Sequence, residues 1–159
     1  TAMAFCSWDA MGGNPGRLPT EAEWEWLARG STPEPVLRTE RSFPWGEEVP
    51  TCARVHHVAC SPSGTVVGDT LLPTYGIFSL SGNVAEWTAD VFAPYTDARC
   101  WGPNQRNPLC LMPTTVSMTR TLRGGHFLSD PNNLRGAARA GAAPVDEADF
   151  VGFRCVRSL

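Results

Sequence analysis

The sequence predicts a loop-rich α+β domain, on three observations. Fourteen Pro and fifteen Gly cut the chain into pieces too short for a helical bundle or a long-stranded barrel. Six Trp and seven Phe, against two Tyr, supply bulky core material. A length of 159 residues is that of about one domain, able to bury roughly 70% of its unfolded surface.

Taken in order, the elements are short. Ala2–Trp8 reads as the end of a helix, and Asp9–Gly16 as a Gly- and Pro-rich loop. The clearest helix follows Pro19. Thr20 is its N-cap and Glu23 completes a capping box. Glu21, Glu23 and Glu25 suit the positive end, Arg29 the negative end and Gly30 the position just past it. Trp24, Leu27 and Ala28 share one face, which predicts the buried side. The glutamates then read as helix-end and solvent-face charges. Ser31–Arg41 reads as a polar linker, Phe43-Pro-Trp-Gly46 as a compact aromatic turn and Val66–Val67 as a short strand.

The stretch Tyr75-Gly-Ile-Phe-Ser-Leu-Ser-Gly-Asn-Val-Ala-Glu-Trp-Thr-Ala-Asp90 reads as a tight turn feeding a core strand. Gly82 and Asn83 take up positive φ more readily than other residues. Glu86 stands among apolar neighbours and requires an arginine, a cation or backbone N–H groups as partner. Phe92–Pro113 reads as a long loop, Val116–Arg123 as a strand, Leu134–Arg139 as a strand or short helix and Ala140–Asp149 as an acidic loop. Val151–Val156 is a terminal strand in which Gly152 allows close backbone approach.

Composition excludes several functions. All thirteen basic residues are Arg, so Schiff-base chemistry, a P-loop lysine and a Ser–Lys pair are ruled out. The arginines are scattered and the net charge is −3, which argues against nucleic-acid binding. No run reaches the roughly 18 apolar residues of a membrane span. The six cysteines form no C-x-x-C, and no histidine is read at zinc-ligand spacing. Adjacent His56 and His57 point in different directions, which argues against a metal shared between them. Cys52/Cys60 and Cys100/Cys110 each bracket a short polar loop, the pattern of a local disulfide. Cys6 and Cys155 remain at the two ends, and a bond between them would close nearly the whole chain, worth about 4–5 kcal/mol in the chain-entropy model. Three disulfides imply an oxidising, extracytoplasmic compartment: periplasmic, cell-surface or secreted. The alternative is a cytosolic protein with six thiols. Thr1 falls inside an apparent helix, so an upstream segment of the same domain is expected.

Four ordered stretches carry a family resemblance: Gly16-Arg-Leu-Pro-Thr-Glu-Ala-Glu-Trp-Glu-Trp26; Phe43-Pro-Trp-Gly46; Gly82-Asn-Val-Ala-Glu-Trp-Thr-Ala-Asp90; and Leu122-Arg-Gly-Gly125 followed by Gly152-Phe-Arg-Cys155. Together they resemble the formylglycine-generating-enzyme (sulfatase-modifying factor) family over essentially all of residues 1–159, with the family's N-terminal third missing. The resemblance implies a C-type-lectin-like fold with little regular secondary structure. It also implies a Cys6–Cys155 disulfide. A second family disulfide would fall at Ala28 and Gly136, where both cysteines are absent together.

The resemblance implies a Ca²⁺ site at Ser79, Gly82, Val84 and Glu86, with mixed hydroxyl, carbonyl and carboxylate donors. Ser79 stands where the family usually has Asp or Asn, which removes one strong ligand. The second family calcium site does not carry over, because Ala53-Arg54 replaces the Asn expected in the Cys52–Cys60 region. Active members oxidise a substrate cysteine to formylglycine with O₂, using Cu(I) held by two cysteines after the Gly-Gly motif. Ser129 falls at the first of these positions and no cysteine at the second. Because a hydroxyl is a poor Cu(I) ligand, copper is not expected. His126 and Ala85 also depart from the family pattern.

The expected function is a non-catalytic, disulfide-stapled binding module. Its protein or glycan ligand would meet the loops after Gly125 and before Val151, through His126, Phe127, Ser129, Asp130, Asn132 and Asn133 as exposed contacts. Related lectin-like proteins, including targets of diversity-generating retroelements, vary their ligand contacts in this region. The alternative is an oxidoreductase of the family, of formylglycine-generating or siderophore-maturation type, with an active site lacking copper cysteines and with His126 paired to a carboxylate for acid–base work.

Overall fold

The computed structural model describes residues 1–8, 14–30, 41–60, 71–72, 76–103, 105–114 and 118–157. The expected strand at Val66–Val67, most of the Ser31–Arg41 linker, Tyr75 and part of the Asp9–Gly16 loop lie outside the described residues.

Helix α1 spans Ala2–Trp8 and helix α2 spans Glu21–Arg29. Strands β1 (Leu71–Leu72) and β2 (Ile77–Phe78) form an antiparallel ribbon. A four-stranded sheet holds β3 (Ala85–Val91), β4 (Arg120–Arg123), β5 (Arg139–Ala142) and β6 (Val151–Phe153) in the order β5-β4-β3-β6. The β3–β4 and β4–β5 pairs are antiparallel, and β6 runs parallel to β3. Short elements, long connections and one mixed sheet make an α+β, loop-rich fold.

Local chemistry explains α2. The Thr20 hydroxyl accepts the Glu23 amide while the Glu23 carboxylate accepts the Thr20 amide, closing the capping box. Gly30 ends the helix in the left-handed region, with φ of 65°. Trp24 and Ala28 are fully buried, with Leu27 and Leu80 packed beside them. Between Phe43 and Trp45 the rings stack at 5.1 Å, while Phe43 and Gly46 exchange both backbone hydrogen bonds.

Several expectations shift. The core strand begins only at Ala85 and runs to Val91, since Gly82 and Asn83 (φ of 72° and 62°) hold the preceding residues in the turn. Leu134 closes a 3-10 turn at Pro131–Leu134, and the following strand starts at Arg139, the last residue of the stretch read as strand or short helix, and runs into what reads as loop as far as Ala142. Strand β6 stops at Phe153, while Val156 makes an isolated bridge to Arg17.

The glutamates of α2 require a correction. Glu21 is 1% exposed, and the side chain of Glu25 is 22% exposed. The reason is geometric. Residues 21, 24, 25 and 28 lie at i, i+3, i+4 and i+7, so both carboxylates share the buried face with Trp24 and Ala28. That face lies on strand β3, where Glu86, Thr88 and Asp90 are buried. The layer between α2 and the sheet is therefore largely polar and has to be paired throughout.

Three disulfides tie the loops to this frame: Cys6–Cys155, Cys52–Cys60 and Cys100–Cys110. The first links α1 to the segment after β6. The last joins a second apolar cluster of Val91 and Ala93, with Trp101 packed on it.

Candidate functional site

The site is built around the turn that enters β3. Gly82 donates to the Gly124 carbonyl at 2.8 Å, and Asn83 donates to the His56 carbonyl at 3.2 Å. A Cβ at Gly82 would lie 2.4 Å from the His56 carbonyl oxygen, so only glycine fits this approach. Gly152 on β6 passes Val84 as closely as expected, since a Cβ there would meet Val84 Cγ2 at 3.0 Å. The turn thus clamps the Cys52–Cys60 loop on one side and the Gly124-Gly125 segment on the other.

Ser79, Gly82, Val84 and Glu86 all sit on this turn or at the first residues of β3. Ser79 is buried with φ of 48°, and Glu86 is 5% exposed. Both Glu86 oxygens are engaged. Arg154 Nε donates to Oε2 at 2.6 Å, Arg154 Nη2 donates to Oε1, and Trp24 Nε1 donates to Oε2 at 2.8 Å. Arg154 Nη2 also reaches the Phe78 carbonyl at 3.1 Å. The carboxylate is therefore neutralised by an arginine and hydrogen-bonded by an indole. A calcium ion fits poorly here. The only charged donor of the four is shared with a guanidinium, and the others are a hydroxyl and two carbonyls.

The loop after Gly125 divides into an inner and an outer set. Phe127 and Ser129 are buried, not exposed, which corrects the contact surface read from the sequence. Phe127 tucks beneath the turn, its amide donating to the Asn83 carbonyl at 2.9 Å. The Ser129 hydroxyl accepts the His126 amide at 2.9 Å, the Ser129 amide donates to the His126 carbonyl at 2.8 Å, and the Ser129 carbonyl accepts Val58 N–H at 3.2 Å. Asp130, Asn132 and Asn133 remain exposed, joined by Leu128, which is 47% exposed. Asp130 caps the following 3-10 turn by accepting Asn132 N–H at 2.9 Å.

His126 joins the two expected loops. Its ring stacks on Phe150, just before β6, with centroids 4.4 Å apart. Burial holds its imidazole below the ordinary range, and Nδ1 accepts the Leu128 amide at 3.2 Å. Among the described residues no carboxylate hydrogen-bonds or ion-pairs with it.

A second polar centre was not legible as a site. Arg139 donates from Nε and Nη2 to Glu21, the latter at 2.7 Å, and packs over Tyr95 at 4.0 Å. Arg123, fully buried, donates to Glu25 and to the Gly136 carbonyl and lies over Trp24. Asp90 accepts the Glu21 amide at 2.6 Å and the Cys110 amide at 2.7 Å, and burial pushes its carboxyl up. Burial and the neighbouring Glu25 push the Tyr95 hydroxyl up to about 12. Glu21, Glu25, Tyr95, Trp101 and Pro108 line a surface cavity of about 390 Å³.

The Cys52–Cys60 loop also departs from expectation. The sulfurs of Cys52 and Cys60 and a ring nitrogen of His57 all lie within 4.8 Å of one another. The signal present in the sequence was His57-x-x-Cys60, obscured by the neighbouring His56.

The family described as Sulfatase-modifying factor enzyme 1-like domain matches residues 1–159. A formylglycine-generating enzyme of Streptomyces coelicolor is 33% identical over 170 residues, covering 97% of this chain and 49% of that protein. The inactive C-alpha-formylglycine-generating enzyme 2 of Mus musculus is 30% identical over 173 residues, covering 99% of this chain and 46% of that protein. Among solved structures, PvdO from Pseudomonas aeruginosa superposes with a TM-score of 0.77 at 24% identity, covering 99% of this chain and 59% of that one, which bears on the fold. The chain spans about half the length of the curated relatives it matches.

Proposed function

We propose that this chain, which belongs to the sulfatase-modifying factor enzyme 1-like family, is a binding module of that family and does not make formylglycine. The observation that carries this reading is the fate of the soft ligands. All six cysteines are spent in disulfides, and at the position of the first copper cysteine the Ser129 hydroxyl is a buried acceptor within a closed turn. A neutral hydroxyl does not replace a thiolate toward Cu(I). The His126 ring, stacked on Phe150 and with Nδ1 already accepting the Leu128 amide, supports the same reading against acid–base catalysis. An inactive relative of comparable similarity gives a precedent within the family.

The ligand, a protein or a glycan, meets the ridge formed by His126, Leu128, Asp130, Asn132 and Asn133, while Phe127 and Ser129 hold that ridge from beneath. Its polar side chains sit on a 3-10 turn fixed by the Asp130 cap, so little conformational freedom is lost on binding. Three disulfides suit an extracytoplasmic setting. No described helix is long and apolar enough to cross a membrane.

The test has two arms. A Cys-x-Pro-x-Arg peptide incubated with the protein, Cu(I) and O₂ should show no aldehyde by mass spectrometry; formylglycine formation overturns the proposal. Binding to printed glycan and peptide arrays should fall about tenfold or more when Asn132 and Asn133 are changed together to Ala, with Asp130 kept as the cap and the melting temperature unchanged. Unaltered binding by that variant excludes this ridge.

A further inference from the structure

We propose that the Cys52–Cys60 loop is a redox-gated site for a thiolate-preferring divalent ion such as Zn²⁺, closed while its disulfide is intact and opened by a dithiol donor. Two sulfurs and an imidazole nitrogen within 4.8 Å form a Cys₂His donor set, leaving the fourth tetrahedral position to water. Two thiolates would neutralise the dication, so the loaded site buries no net charge.

His57 supplies an independent observation. The residue is 5% exposed, and among the described residues its Nε2 has no hydrogen-bond partner. Nδ1 accepts only a long contact from the Ala59 amide, at 3.4 Å. A buried imidazole nitrogen without a partner is uncommon in a folded protein. Coordination through one nitrogen, with the other fixed by the backbone, is how a ligating histidine is usually held.

Access singles out this disulfide. Cys52 is exposed and Cys60 partly so; in the other two bonds Cys155 is partly exposed but its partner Cys6 is buried, and Cys100 and Cys110 are both buried. Attack by an external thiolate needs a reachable sulfur. The loop is also anchored without its disulfide. Val55 is fully buried, Arg54 and Val55 donate to the Thr51 carbonyl, and Cys60 donates to the His57 carbonyl at 2.9 Å. Asn83 and Ser129 hold it from outside through His56 and Val58. Opening the bond therefore leaves the donors close together.

The chemistry balances. The donor dithiol gives two electrons and two protons, becoming a disulfide itself, and Cys52 and Cys60 become thiols. The ion then displaces both thiol protons to form two metal–sulfur bonds, and the His57 nitrogen adds a third.

The test uses the whole chain and Co²⁺ as a spectroscopic stand-in for Zn²⁺. After limited phosphine reduction, peptide mapping with an alkylating agent should place the first free thiols at Cys52 and Cys60. One equivalent of Co²⁺ should then give a thiolate charge-transfer band that Zn²⁺ abolishes, and the unreduced protein should give none. His57→Ala and the gentler His57→Asn should each weaken binding about tenfold or more; Cys52→Ser with Cys60→Ser should remove the band while the fold, followed by circular dichroism, persists. The proposal fails if both His57 variants bind as tightly as wild type. It also fails if the double serine variant keeps the band, if reduction yields no band, or if another disulfide opens first.

Discussion

Arg139 holds the Glu21 carboxylate with two guanidinium nitrogens across 118 residues of sequence. The pair joins α2 to β5, and Glu21 is 1% exposed against 12% for the Arg139 side chain. Breaking one partner leaves a charge in a site with little water, which costs about 3–5 kcal/mol. Glu21→Gln should therefore lower the unfolding free energy obtained from urea titration by that order, and Arg139→Met should do the same. A double variant carrying both changes should recover part of the loss, because it removes both charges of this pair, while Arg123, 3.6 Å from Glu21, keeps Glu25 as its partner. Equal additivity of the two single losses would show that the residues act independently.

Glu86 tests the calcium expectation separately from the fold. Its carboxylate is held by Arg154 and by the Trp24 indole. Glu86→Gln should cost about 2–3 kcal/mol through weakened charge-assisted hydrogen bonds, with the same loss in calcium and in chelator. An ion bound only to the folded state at one hundred times its dissociation constant would add about 2.7 kcal/mol. Thermal melts of wild type with and without millimolar calcium should not show that increment. A calcium-dependent rise that vanishes in Glu86→Gln would restore the metal site.

What was readable in the sequence was local. Thr20, Glu23 and Gly30 lie within eleven positions of one another, and their side chains and φ preferences set the ends of α2 without help from the rest of the chain. Cys52 and Cys60 close a span of 8 residues, so their pairing needed no tertiary knowledge. The fate of Glu21 and Glu25 did, because the arginines that bury them arrive from β4 and β5. A cue was nonetheless present, since Glu21, Trp24, Glu25 and Ala28 form one stripe. Phe127 and Ser129 looked like loop contacts because nothing local announces that the Asn83 turn meets Phe127 and the Cys52–Cys60 loop meets Ser129. Arg154 stood in the resemblance as part of a motif, but its role as the partner of Glu86 appeared only once β6 lay parallel to β3, with Gly152 opposite Glu86.

The vacancy of a family disulfide gives a third prediction. A Cβ built on Gly136 lies 3.3 Å from Ala28 Cβ, near the 3.5–4.5 Å range of bonded cysteine pairs. The nearer contact, Arg29 Cγ at 2.9 Å, belongs to a flexible side chain that can shift. Ala28→Cys with Gly136→Cys should therefore form a fourth disulfide, seen as a loss of two mass units under non-reducing conditions. The existing Cys6–Cys155 bond already restricts the unfolded chain, so the gain should fall toward the lower end of the usual 2–4 kcal/mol, at about 2 kcal/mol. Two free thiols in the oxidised variant would show that the two backbones do not approach as described.

His126 makes the ridge sensitive to acid, in a direction that can be worked out. Burial holds its folded-state pKa below the ordinary 6.5. A depressed value means that the unfolded chain takes up the proton first, so this residue's contribution is present above the unfolded pKa and is lost as pH falls through the folded one. Protonation also removes the acceptor that Nδ1 offers to the Leu128 amide. Stability should thus decline as pH falls from just above 6.5 through the lower folded-state midpoint. His126→Asn should flatten that part of the profile, since Asn keeps a polar acceptor and does not titrate. Proton NMR of the imidazole should report a midpoint below 6.5, and amide exchange at Leu128 should quicken at the same midpoint. A midpoint above 6.5 would place a carboxylate against the ring in solution and would reopen the acid–base reading of this loop.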